Sequence, residues 1–241
     1  MINYINQFSY NGKRSYDDMN LIITDTPSRV SPARRVTYTA VDGRNGDIIT
    51  DEGCFDNGEI KYKVTAIAED FEMPLLVKKI KRWLQGAAGY FTLTDTYDTN
   101  YFYLACYNGK VDIADRLGKL GAATLTFKTK PFKYSFEGQR KIKITGAAIL
   151  YNPEDWEATP YIKIVGSGDI TLFINNASYA FTDIDEYIEV DSDIQSCFKG
   201  TILQNSKTSF TEFPKFSEGK NNISFVGAVS EIVIVPRWCT L

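Results

Sequence analysis

Histidine is absent from the 241-residue chain. Without an imidazole there is no Ser–His or Cys–His nucleophile pair, no histidine general base and no mixed Cys/His zinc site. Cysteine is scarce as well: Cys54, Cys106, Cys197 and Cys239 stand far apart, with no CxxC pair among them. A four-thiolate metal site would need four isolated positions to converge, and a disulfide framework belongs to short, core-poor, exported chains. Buried free thiols, made and folded in a reducing cytosol, are the expectation. Long apolar runs are missing too, the stretch 232–236 falling far below the roughly 20 residues of a membrane helix. The opening Met1-Ile2-Asn3-Tyr4 has neither a basic start nor an apolar stretch, so no secretory leader is expected. Neither charge dominates. The 27 Lys and Arg against 30 Asp and Glu leave a net charge of −3, which gives no global pull toward nucleic acid or an anionic membrane.

What is present is core-forming material. Apolar residues make up 44% and charged residues 24%, enough to build one large or two ordinary domains. Fifteen Tyr, fifteen Phe and three Trp accompany recurrent β-branched residues. The run Ile60-Lys61-Tyr62-Lys63-Val64-Thr65-Ala66-Ile67 alternates as a half-buried strand does. The same period of two marks strands over 123–128, 142–145, 161–165, 171–174, 187–190, 223–226 and 232–235. Asp42-Gly43, Asn57-Gly58, Asn108-Gly109 and Asn175-Asn176 read as hairpin turns, because Gly and Asn accept positive φ at low cost. One segment breaks the pattern. Leu76, Ile80, Trp83 and Leu84 form a helical stripe within Met73–Gln85, with Pro74 in the first turn and Gly86 just past the end. Glu69, Asp70 and Glu72 precede it, and Lys78, Lys79, Lys81 and Arg82 follow, as the macrodipole favours. That basic face reads as a solvated surface rather than a phosphate site.

No internal repeat is visible. A boundary is expected within 137–152, beyond which the sequence is purely β with turns every 8–12 residues, the spacing of a sandwich. The fold class is therefore mainly β: an N-terminal domain over 1–138 carrying a single helix, and a C-terminal β-sandwich over 139–241.

The motifs that could carry chemistry read as structure. Gly43-Arg44-Asn45-Gly46 matches the GxxG of a KH domain, but strand-like alternation precedes it and no helix flanks it, so it reads as a hairpin turn. Gly166-Ser167-Gly168 lacks the residues of a phosphate-binding loop and reads as a turn between two strands. Asp183, Asp185, Glu189, Asp191 and Asp193 invite a calcium reading but lack the EF-hand glycine. Their alternation with Ile184, Ile188, Val190 and Ile194 describes one strand with an acidic outer face. The aromatic stretch from Tyr90 to Tyr107 reads as core and hairpin packing rather than a stacking surface. No catalytic, cofactor or metal residue is expected, and the chain reads as non-enzymatic.

The order of several phrases carries further. Asn152-Pro153-Glu154-Asp155-Trp156-Glu157-Ala158 leads into Pro160-Tyr161-Ile162-Lys163-Ile164-Val165-Gly166-Ser167-Gly168. Tyr187–Ser192, Phe198-Lys199-Gly200, Phe213-Pro214-Lys215-Phe216, Gly219–Phe225 and Pro236-Arg237-Trp238 follow in turn. Tyr10-Asn11-Gly12, Gly43–Gly46 and the single helix ending at Trp83-Leu84 occupy matching places in the first half. In this order the chain resembles the distal tail proteins (Dit) of long, flexible-tailed bacteriophages and prophages of Gram-positive hosts. The resemblance implies an N-terminal β-sandwich or split-barrel domain related to tail-tube proteins, and a galectin-like C-terminal sandwich. It implies six copies in a ring at the tail tip, joined to the major tail tube protein on one face. On the other sits a tail-associated lysin or fibre protein, with receptor-binding or baseplate proteins carried outside. DNA would pass through the channel without sequence-specific binding, and assembly would occur in the bacterial host cytoplasm. The rival is a carbohydrate-binding module contacting the cell wall, with Trp156 as the stacking residue. Galectins read sugar with a signature that includes histidine, so that signature is incomplete here.

Overall fold

The computed structural model describes residues 5–68, 72–116 and 118–241. It divides into two compact units, Met1–Lys133 with Leu241, and Tyr134–Thr240. Glu69 and Asp70, expected ahead of the helix, lie outside the described residues.

The first unit starts with β1 (Phe8–Tyr10) and β2 (Lys13–Arg14), joined by Asn11 and Gly12 at φ 47° and 72°. Two consecutive left-handed residues make the tight turn whose twist matches the strands. Next come β3 (Leu21–Ile23), β4 (Ser28–Val30), β5 (Arg34–Thr39), β6 (Ile48–Phe55) and β7 (Gly58–Ile67). Helix α1 (Met73–Gln85) is followed by β8 (Phe91–Asp95), β9 (Tyr101–Cys106), β10 (Ala114–Arg116) and β11 (Leu120–Ser135). The main sheet runs β2-β1-β8-β9-β11-β7-β3, with β4 also on β7 and β10 on β11. The expected alternation in β7 is present: Ile60, Tyr62, Val64 and Ala66 are buried, and their neighbours point out. Strand β7 pairs with β11 over ten residues, Gly58 opposite Thr129 through Ile67 opposite Leu120.

Helix α1 buries Met73, Ile80, Trp83 and Leu84 against that sheet. The residue just past its end has to be glycine, since a Cβ on Gly86 would lie 2.2 Å from the Arg82 carbonyl. The core beneath is aromatic. Phe8 stacks on Tyr62 and Trp83 at 4.7 and 5.6 Å, while Phe127 meets Phe8, Tyr10, Tyr62 and Tyr107 edge-on. Such pairs add about 0.5–1.5 kcal/mol each beyond area burial.

The second unit contains β12 (Ile142–Ile144), β13 (Ala148–Asn152), β14 (Tyr161–Ile174), β15 (Ala177–Ile184) and β16 (Tyr187–Asp191). It continues with β17 (Ser196–Lys199), β18 (Ile202–Leu203), β19 (Gly219–Val235) and β20 (Cys239–Thr240). Four of the short strands expected from periodicity merge here into two long ones. Gly166-Ser167-Gly168 is not a turn between strands, as the sequence suggested, but a bulge inside β14. The register against β19 shifts between Val165 and Gly166 and again between Ser167 and Thr171. Gly168 stands at φ 73°, and Gly227 on β19 at φ 117°. The backbones nearly touch there: a Cβ on Gly166 would come 2.4 Å from the Ala228 carbonyl, and one on Gly227 2.5 Å from that of Asp169. Both strands bend at these glycines, so Ile162, Ile164, Ile232 and Ile234 on one side and Leu172, Ile174 and Ile223 on the other face one core.

The acidic series is likewise two strands rather than one. The chain reverses at Asp185-Glu186 between β15 and β16, with Asp183 and Glu186 at φ 52° and 61°. Ile184, Ile188 and Val190 turn inward, but Ile194, in the turn after β16, is 64% exposed, so the alternation holds only as far as Val190 and the continuity does not hold. Asn57-Gly58 is no hairpin turn either, because β6 and β7 belong to different sheets, and Asn108-Gly109 follows β9 without returning a strand beside it. Asn175 does sit at a hairpin, Ile174 opposite Ala177.

The two ends of the second unit are stitched together. The Ser135 amide donates to the Trp238 carbonyl at 3.0 Å, and the Arg237 amide to Gly138 at 2.7 Å. Arg237 holds a left-handed φ of 59° while its guanidinium grips Asp191 bidentately at 2.6 and 2.8 Å. Burial pushes the Asp191 pKa up, but the Arg237 bonds and charge, with two backbone N–H groups, hold it below the usual carboxylate range. A carboxyl lowered in the folded state stabilises fully above its free value, and that contribution fades as pH falls through the folded value. Asp191→Asn is therefore expected to cost about 1–2 kcal/mol at neutral pH. The melting-temperature gap to wild type should narrow below about pH 4; a gap independent of pH would disprove the assignment.

Candidate assembly surfaces

Strands β5 and β6 form a two-stranded sheet of their own, hydrogen-bonded to neither larger sheet. Residues 34–39 and 48–55 pair Val36 with Asp51, Thr37 with Thr50, Tyr38 with Ile49 and Thr39 with Ile48. The GxxG segment lies at the tip, with Gly43 and Gly46 at φ 76° and 80°. The arm is held internally by polar contacts. Arg34 Nε donates to Asp51 at 3.0 Å, Arg35 to Asp56 at 2.8 Å, Thr37 to Glu52 at 2.9 Å, and the Arg34 guanidinium lies 5.3 Å from the Phe55 ring centre. Exposed charge pairs of this kind contribute about 0–1 kcal/mol each, and a lone two-stranded hairpin is marginal in water. Yet Tyr38 and Ile49, opposite each other, are 62% and 61% exposed, and Val41 and Ile48 are exposed beside them. Sequence reasoning found the turn but not the arm, since alternation does not tell which strand lacks a sheet to join.

A second surface lies on the outer side of β13, β19 and β14. Ile149, Tyr151 and Val226 are 64%, 66% and 67% exposed. Across the ladder Ile149 faces Asn222, Tyr151 faces Lys220, and Val226 faces Thr171. Ser224 and Phe173 pair between them, so Lys220 is the one charge in this register.

No metal-binding group of His, Cys, Asp or Glu occurs among the described residues. The four cysteines are free thiols, and burial pushes Cys197 and Cys239 up to about 12. Trp156 is half-buried, in the loop after β13, and its carbonyl accepts the Asn152 side-chain amide at 2.9 Å. The following residues close on a distant phrase: Ala158 and Phe216 exchange two backbone hydrogen bonds of 2.9 Å. Phe216 packs on Trp238 at 5.5 Å. The aromatic stretch is divided. Tyr107 is buried, Phe91 meets Tyr10 edge-on at 5.7 Å, and Tyr90 and Tyr97 are exposed.

No protein-family model matches the chain, and no curated protein matches it. Solved structures do. The Dit protein of phage SPP1, presented as a paradigm of the hub adsorption apparatus in phages infecting Gram-positive hosts, superposes with a TM-score of 0.70 at 12% identity. The match covers 99% of this chain and 100% of that one. A chain of the phage P2 baseplate in its activated conformation with Ca matches 96% of this chain and 97% of its own, again at 12% identity. Its TM-score of 0.46 is too low to carry an argument. At such identity what is shared is the fold, and along its whole length this chain has the fold of the SPP1 Dit protein.

Proposed function

We propose that the protein is the structural hub of a phage tail tip. Six copies form a ring that joins the tail tube to a tail fibre or tail-associated lysin and supports the host-adsorption apparatus. The observation that carries this reading is the correspondence with SPP1 Dit over the entire chain, both units included. The role is non-enzymatic, the protein resides in the virion tail, and the ring assembles in the host cytoplasm.

The arm of β5 and β6 supplies the ring contact. A heterologous ring needs a surface on each copy that fits a different surface on the next. Burying Tyr38 and Ile49 against a neighbour would recover about 1.5–3 kcal/mol apiece. The first unit forms the ring, and the second, with Ile149, Tyr151 and Val226 outermost, holds receptor-binding or baseplate proteins.

Light scattering on a sizing column is expected to give a species of six subunits, and negative-stain images an annulus. Tyr38→Ser combined with Ile49→Ser should return it to monomer with an unchanged circular dichroism spectrum, because neither side chain has a core to lose. A stable dimer with nothing larger would overturn the hub reading.

A further inference from the structure

Helix α1 carries Lys78, Lys79, Lys81 and Arg82 and no acidic residue. From sequence this is a solvated face, but the fold brings it a further cation. The turn at Asn11-Gly12 sets Lys13 opposite Tyr10, and the Tyr10 carbonyl accepts the Trp83 indole N–H at 2.9 Å. That bond ties the hairpin to the last turns of the helix. Between them opens a cavity of about 450 Å³ bordered by Lys13, Lys79, Arg82, Asn11 and Trp83. No carboxylate lines it among the described residues. The acids of the neighbouring turn are engaged elsewhere. Asp17 accepts from Arg14 and Gln7, and the Asp18 carboxylate accepts the Arg14 amide at 2.7 Å. Lys79 donates one hydrogen bond to the Asp18 backbone carbonyl, at 2.6 Å, and an ammonium carries three protons.

We propose that this cavity binds a phosphate oxyanion. Three cations arriving from two elements suit a tetrahedral group with several charged oxygens, whereas one carboxylate would be satisfied by the Arg82 fork alone. The depression is open to solvent on one side, so linked phosphates can lie across it as well as a single phosphate. The carbonyl end of the helix opposes an anion with roughly half a unit of negative charge, and three full positive charges outweigh it. This inference does not rest on the hub reading, since it uses only residues of β2, the turn before it and the end of α1, none of them in the arm.

The test is calorimetric titration with tripolyphosphate at low ionic strength. Wild type is expected to bind one equivalent saturably and to weaken with added salt. Arg82→Glu and Lys13→Glu should each weaken binding at least tenfold, Lys13→Glu without moving the melting temperature, and Lys141→Glu, an exposed site in the second unit, should change nothing. Lys13 sits at the exposed start of β2, so its variant carries the test if Arg82→Glu folds poorly. Orthophosphate competing at similar concentration would assign the site to free phosphate, and binding of the chain alone would assign it to a phosphate polymer. Equal affinity in wild type and both cavity variants would overturn the proposal. So would an equal loss in Lys141→Glu, or equally tight binding of polyglutamate.

Discussion

Asp95→Ala is expected to lower the unfolding free energy by about 3–5 kcal/mol, the usual consequence of leaving a buried charge without its partner. Asp95 ends β8 with its side chain only 3% exposed. One oxygen accepts from Arg29 at 2.9 Å and from the amides of Tyr97 and Asp98 at 2.9 and 3.1 Å. The other accepts from Arg29 and from the Tyr62 hydroxyl, both at 2.7 Å. Arg29 lies on β4, Tyr62 on β7 and Asp95 on β8, so one carboxylate joins three strands of the sheet and shapes the turn leaving the last. Alanine would strand the partly buried guanidinium and a buried phenol. Asp95→Asn keeps the shape and one good acceptor, so it should cost less than alanine. Urea unfolding followed by circular dichroism measures both, and a loss under 1 kcal/mol for alanine would show the network to be dispensable.

The second large effect is expected at Gly227. Valine there would combine a backbone conformation that L-residues avoid, φ 117°, with a Cβ 2.5 Å from the Asp169 carbonyl and 3.1 Å from Ile170 Cα. Backbone strain of about 1–3 kcal/mol and overpacking of about 1–3 kcal/mol add at one site, so a loss of about 3 kcal/mol or more is expected. Alanine should cost less, and Gly219→Ala, also at positive φ but with open space around it, should show the strain without the clash. Melting curves of the three variants separate the two contributions. If Gly219→Ala and Gly227→Val proved equally damaging, close approach would not be what selects glycine at the bend.

Local periodicity carried the reading wherever an element answers to its own neighbours. The Met73–Gln85 helix and the alternation of β7 were legible because burial of one face is written into 3.6- and 2-residue spacings. The errors arose where a distant partner decides. Asn57-Gly58 has the chemistry of a hairpin turn, but the strand after it pairs with β11, more than fifty residues downstream. Gly166 and Gly168 punctuate the sequence as a turn would, and only the opposing Gly227 turns the pair into a bend of two continuous strands. Lys13 says nothing about the helix until a tight turn and one indole hydrogen bond bring it there. The arm escaped for the opposite reason, since β5 reads as an ordinary strand and lacks only a sheet.

The stitch between Ser135 and Trp238 makes the second unit a cassette. Its point of entry and its point of exit are the same place, one hydrogen bond apart, so what lies between can be exchanged without asking the flanking backbone to move. Closing a loop of that length costs about 4 kcal/mol in chain entropy, and the cost grows only with the logarithm of length. Doubling the cassette would add about 0.6 kcal/mol, less than the core of almost any additional strand pair returns. A chain built this way can enlarge or replace its second unit while the backbone of the first stays as it is.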